Sequence, residues 1–157
     1  MKQVTKTTRI FSLMSLLVIG SIISSFTAMP GGEGFEIYLD NKVIMQRFGK
    51  ELNTVQALQL DSRAANSQLT IKYHHCGKAG KNREIAIRDA QNNILKEWKF
   101  ADSKDAFSPM SCAVKDIFNL QKGSKSFTLN LYYTSSELPN GRTLASIVLP
   151  AKNYTQP

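Results

Sequence analysis

Phe35-Glu36-Ile37-Tyr38-Leu39-Asp40-Asn41-Lys42-Val43-Ile44-Met45-Gln46-Arg47-Phe48 is the stretch that decides the fold. Phe35, Ile37 and Leu39 alternate with Glu36 and Tyr38, the period-two repeat of a strand with one buried face. Asp40-Asn41 interrupts the alternation, and residues 42–48 run back. Asp and Asn tolerate the positive φ of a two-residue type I′ turn, so the stretch reads as a β-hairpin.

The chain continues in the same manner. Residues 54–60 form a weaker strand and residues 61–67 a turn. Residues 68–75 form a strong strand, with Leu69, Ile71 and Tyr73 on one face and Thr70, Lys72 and His74 on the other. That alternation turns His75 toward the core and leaves His74 in solvent. A basic loop, 77–82, leads to a second hairpin, 83–89 with 94–100. A long polar loop, 101–109, precedes a strand at 110–115. Residues 116–120 are ambiguous, because Val114, Ile117 and Phe118 also sit at helical spacing. Residues 127–133 make an aromatic and β-branched strand, Leu138-Pro139-Asn140-Gly141 a turn, and 142–149 a last strand. Parallel sheets need crossover helices, and none is legible. The fold class is therefore all-β, an antiparallel β-sandwich of about eight or nine strands over residues 35–150. The strand-and-turn pattern of 116–123 followed by 127–133 resembles the closing strands of immunoglobulin-like or jelly-roll sandwiches. It implies an architecture and no functional residue.

An export signal precedes this domain. Lys2, Lys6 and Arg9 lead into an apolar run at 10–23, and small residues end in Ala28. A basic start, a short apolar core and small residues are the parts of a secretory signal peptide, placed at residues 1–28. The run is short for a spanning helix, which needs about 20 apolar residues. The expectation is an exported protein, periplasmic or extracellular, with no transmembrane span once the signal is cut. An uncleaved N-terminal anchor is the lesser alternative. Residues 29–34 read as a flexible Gly-rich lead-in, and 151–157 as a C-terminal tail.

The formal charge of the 157-residue chain is +8, from 20 Lys+Arg and 12 Asp+Glu. Three basic residues belong to the signal, which leaves 17 − 12 = +5 on the domain. With export, that argues against nucleic acid as the partner.

Cys76 and Cys112 are the only cysteines, and an exported chain with two normally pairs them. Such a disulfide would stabilise the fold by about 4 kcal/mol in the chain-entropy model. Strict alternation raises a difficulty, because it points Cys76 outward and Cys112 inward. The rival reading is a soft copper-type site of His74, Cys76, Met110 and Cys112. No cofactor is otherwise called for. Gly-x-Ser-x-Gly, His-Glu-x-x-His and Walker sequences are all missing, and adjacent His75 and Cys76 point to opposite faces. The expected function is thus a non-enzymatic binding module. Lys72, His74, Lys78, Lys81, Arg83 and Arg88 form its candidate anionic-ligand patch, for an envelope protein or an anionic polysaccharide. Trp98 reads as core, and the 102–108 loop as a place for recognition.

Overall fold

The computed structural model describes residues 32–121, 123 and 125–151. The expected signal, residues 29–31 of the lead-in and residues 152–157 of the tail lie outside these residues. Among the described residues nine strands form two sheets. In chain order they are β1 (Gly34–Leu39), β2 (Lys42–Phe48), β3 (Gln56–Gln59), β4 (Gln68–His74), β5 (Arg83–Arg88), β6 (Ile94–Phe100), β7 (Met110–Ala113), β8 (Phe127–Ser135) and β9 (Leu138–Leu149). The first sheet has the order β2-β1-β4-β7 and the second β3-β9-β8-β5-β6.

Alternation is what divides each strand between core and surface. Phe35 and Ile37 of β1, Leu69, Ile71 and Tyr73 of β4, and Met110 and Cys112 of β7 are buried from the first sheet. Ile85 and Ile87 of β5, Leu129, Leu131 and Tyr133 of β8, and Ala145 and Ile147 of β9 are buried from the second. All of them belong to one apolar cluster, and Tyr73 stacks on Tyr133 across the sheets with ring centroids 4.4 Å apart. Trp98 packs on the margin of that cluster, as its spacing predicts.

Several expectations need correction. The sheets are not purely antiparallel, because β3 pairs in parallel with β9, Gln56 opposite Ala145. Thus the edge of the second sheet is reached without a crossover helix. The lead-in shortens, since Gly34 is already buried in β1, opposite both Phe48 and His74. The first hairpin forms as read, but only Asp40 takes a positive φ (53°), so its turn is not type I′. The ambiguous stretch is a short helix, α1 (Val114–Phe118), which buries Val114 and Ile117. Residues 138–141 are not a turn. The chain reverses at residues 136–137, and Pro139-Asn140-Gly141 bulges out of β9 opposite Thr134. Gly141 has φ +60°, and the Tyr132 ring lies where its Cβ would be. No helix of the described residues is long and apolar enough to cross a membrane.

Gly141→Ala is expected to destabilise the protein by about 2–4 kcal/mol, from left-handed strain plus collision with Tyr132 and Thr134. Gly77 has φ +83° and open space around it, so Gly77→Ala carries only the strain, about 1 kcal/mol. Thermal melts of the two variants check this: equal losses would show that the bulge is not packed against the ring.

Candidate functional site

Three connections meet at one end of the sheets. They are the β4–β5 loop (75–82), the β6–β7 loop (101–109) and the β8–β9 turn (136–137). Backbone hydrogen bonds join them. Ser103 N donates to Gly80 O at 2.8 Å, and Ser136 N donates to Lys81 O at 2.8 Å. Side chains complete the joint. Asp102 Oδ1 accepts from Asn82 N at 2.9 Å, and Glu137 Oε2 accepts from Lys81 N at 2.9 Å.

Arg83 sits beneath this joint and is 6% exposed. Its Nε and Nη2 both donate to Ala101 O, at 3.0 and 2.7 Å, and its Nη1 donates to Ser108 O at 2.7 Å. One guanidinium therefore holds both ends of the 101–109 loop. A buried charge must be fully hydrogen-bonded or it costs several kcal/mol, so the loop's geometry is bound to Arg83. Asp105 shapes the tip by accepting from Phe107 N at 2.8 Å.

His75 lies next to Arg83. Its Nε2 is 2.9 Å from Tyr133 Oη and 3.2 Å from Ser135 Oγ. Burial lowers the His75 pKa and pushes the Tyr133 phenol up to about 12. The imidazole is thus neutral and hydrogen-bonded to the phenol, with the donor set by its tautomer. A serine beside a histidine invites a nucleophilic reading, but Ser135 is 5% exposed and already accepts from Leu138 N at 3.2 Å. No substrate atom can reach that oxygen. The group is a strand-end network, extended by Tyr73, which donates to Glu33 Oε1 at 2.6 Å, and by the Arg142–Glu33 ion pair at 3.2 Å.

His74 is buried as well, at 8% exposure, contrary to its expected place in solvent. Its ring is covered by Phe48 (5.6 Å) and by Phe107 at the loop tip (4.9 Å). Gly34 makes this possible, because the Phe48 ring occupies the space a Cβ would need. Glu36 Oε2 is 3.7 Å from His74 Nε2, too far for a hydrogen bond, and Nε2 has no partner. Burial lowers the His74 pKa despite the nearby carboxylate.

The structure does not bring the anticipated patch together. Lys72 is on the outer face of the first sheet, with Nζ 4.9 Å from the Tyr38 ring centroid. Arg88 is on the outer face of the second, with its guanidinium 3.6 Å from the Tyr132 centroid. Arg83 and His74 are buried. Only Lys78 and Lys81 remain as expected, in the loop, where Lys104 of the neighbouring loop joins them. Lys104 was missed because its proximity comes from the Ser103–Gly80 bond, which no local pattern announces.

The cysteine readings are also overturned. Both thiols are free, Cys76 exposed and Cys112 buried. Cys112 lies opposite Leu69, which is 76 − 69 = 7 positions from Cys76. At ~3.3 Å per strand residue that is roughly 20 Å, against the ~6 Å between Cα atoms that a disulfide needs. The copper-type set fails for the same reason. Met110 and Cys112 face the core, His74 faces the other side of its sheet, and Cys76 is at the turn. Among the described residues no group of three His, Cys, Asp or Glu could hold a metal ion. No protein-family model matches the chain, and no curated protein matches it in sequence.

Two outcomes follow. Burial raises the Cys112 thiol to about 12, so native protein takes one alkylating group, at Cys76, and a second only after unfolding. Intact mass checks this, and no adduct without reductant would restore the disulfide. Both histidines are lowered below 6.5 in the folded state, so on acidification the unfolded chain takes up their protons first. Melting temperature therefore falls as pH drops from 7.5 through 6.5 toward the folded pKa values. His74→Leu flattens that fall, and a melting temperature rising toward pH 5 would contradict it.

Proposed function

We propose that the protein is an exported, non-enzymatic recognition module of immunoglobulin-like sandwich type, which binds a partner protein through its joined loops. The strand order supports the fold type. β1-β4-β7 opposite β9-β8-β5-β6 follows the A-B-E and G-F-C-C′ arrangement of such sandwiches. In variable domains of that fold, the B–C, C′–C″ and F–G loops form the combining site. The corresponding connections here are 75–82, 101–109 and 136–137. This is an argument by fold analogy, and a specific observation carries it further.

That observation is Arg83. The sheets do not need a fixed 101–109 loop, yet a buried guanidinium holds both of its ends. Pre-arranging a loop lowers the ordering cost of binding. Its tip carries Phe107, 43% exposed, and the joined loops also carry Lys78, Lys81 and Lys104, which form no ion pair among the described residues. An aromatic anchor with a rim of free cations suits an acidic protein surface. The basic and apolar start of the chain supports export. The enclosed Ser135–His75 pair supports the absence of catalysis.

Cys76 provides the test, because its exposed thiol lies in the loop cluster. A photo-crosslinker on Cys76 is expected to capture one defined partner from envelope and culture fractions. Lys78→Gln/Lys81→Gln/Lys104→Gln and Arg83→Gln should each reduce capture several-fold. The same reagent on Thr128→Cys, on the outer face of the second sheet in a Cys76→Ser background, should capture nothing. Equal capture from both positions, or capture indifferent to the loop variants, would refute the reading.

A further inference from the structure

The geometry points to a second site, distinct from the loops, for an acidic saccharide chain on the outer face of the first sheet. A trough of ≈ 620 Å³ runs there, with Thr70 and Ser111 as its floor. These two residues are cross-strand partners on β4 and β7, and their hydroxyl oxygens are 2.8 Å apart. One hydroxyl donates to the other, which leaves a proton and several lone pairs directed at whatever fills the trough. Tyr38, opposite Thr70 on β1, forms one wall, and Pro109 lines the trough as well. The Tyr38 hydroxyl donates to Glu36 Oε2 at 2.8 Å, so the ring is held in place.

Lys72 supplies the charge. Its cross-strand partner is Glu36, an arrangement that normally gives an ion pair. Here the Glu36 carboxylate is taken by Tyr38, and Lys72 forms no ion pair among the described residues. The ammonium instead leans over the Tyr38 ring at the rim of the trough. At the other end, the side-chain amides of Asn41 and Gln68 have no protein partner among the described residues. Asp40, whose Oδ1 accepts from Gln68 N at 2.9 Å, brings a carboxylate there, so the acidic group of the ligand must sit at the Lys72 end.

This chemistry selects the ligand. A sugar ring offers an apolar C–H face to an aromatic or prolyl wall and hydroxyls to hydroxyl and amide groups. A carboxylate or sulfate on the ring meets Lys72. A peptide strand is not suited to the trough itself, because β1 and β4 beneath it have their backbone groups paired on both sides, the free edge of β7 points away along the sheet plane, and the trough is not apolar. A polynucleotide would need a row of cations, and only one is here. Pro109, the last residue of the 101–109 loop, is the one lining residue from the joined loops; the rest belong to β1, β4, β7 and the β1–β2 turn, so the site does not depend on the loop reading.

Titration of the full protein with a panel of short acidic oligosaccharides tests the site, read by backbone amide NMR shifts. Galacturonate, guluronate, glucuronate-bearing and sulfated oligomers form the panel, with maltotriose as the neutral control. At least one acidic oligomer is expected to shift the amides of residues 38–41, 68–72 and 110–112, with affinity falling as salt rises. Lys72→Gln should weaken that oligomer roughly tenfold, as loss of a charge-assisted hydrogen bond does, and leave the neutral control unchanged. Thr70→Val should weaken it several-fold with the melting temperature retained, and Tyr38→Phe should weaken it by freeing Glu36 for Lys72. The Lys78→Gln/Lys81→Gln/Lys104→Gln variant should bind as wild type. Shifts elsewhere, affinity unaffected by Lys72→Gln and Thr70→Val, or no binding to any panel member would overturn the proposal.

Discussion

A full positive charge, buried at Arg83 and satisfied only by carbonyl oxygens, is the constraint from which the functional end of the molecule is built. No carboxylate among the described residues pairs with it. The guanidinium needs Ala101 O and Ser108 O, so the long loop must return to the sheet at both of those points. That return places Phe107 over His74 and Asp102 against Asn82. Beside Arg83, the neutral His75 ring is hydrogen-bonded to Tyr133 Oη. Removing the charge would therefore leave Ala101 O and Ser108 O without the donors that hold the two ends of the loop, although none of the loop lies in a sheet.

How far the fold was legible depends on whether its cause was local. The two hairpins at residues 35–48 and 83–100 follow from alternation broken by Asp-Asn and Asn-Asn. Alternation marks the buried face of these strands, but the register shifts between Ile37 and Tyr38 and between Ile87 and Arg88 have no local signal. Leu138-Pro139-Asn140-Gly141 was misread because it has a turn's composition while acting as a bulge. The Tyr132 ring fills the space beside Gly141, and that packing is invisible in four residues of sequence. β3 was seen as a strand, but not its parallel pairing with β9, which spans most of the domain. The site was less legible still. Arg83 looked like a ligand-binding cation, and only the path of a loop 18 to 25 positions onward shows it to be a positioning residue.

His74 shows the same limit from another side. Period-two alternation correctly sends it to the outer face of its sheet. Alternation does not say whether that face is covered. The cover comes from Phe48, which lies across Gly34, and from Phe107 in a separate loop. A glycine opposite an aromatic residue in a hairpin register is a recognisable signal for such a cover. It was present in the sequence as Gly34 and Phe48. The cysteine difficulty was also real, since outward Cys76 and inward Cys112 never meet. The domain is consequently held by its shared core and strand-end network, with no cross-link between those two positions.

The charge distribution joins these points. Acidic side chains are largely used to build the fold. Asp40, Asp61, Asp89, Asp102, Asp105 and Glu137 each accept from a backbone N–H, most of them at a turn or loop. Such carboxylates stand in for missing backbone acceptors, and their positions are dictated by chain reversal. Lysines can serve no such role, because an ammonium group only donates. Lys42, Lys78, Lys81, Lys104, Lys115 and Lys125 form no ion pair among the described residues, and the fold gives them no task. The excess of basic over acidic residues is therefore not a structural requirement of the sheets. It is charge left available at the surface: in the joined loops it stands without carboxylate partners, and at the trough Lys72 holds it over the Tyr38 ring.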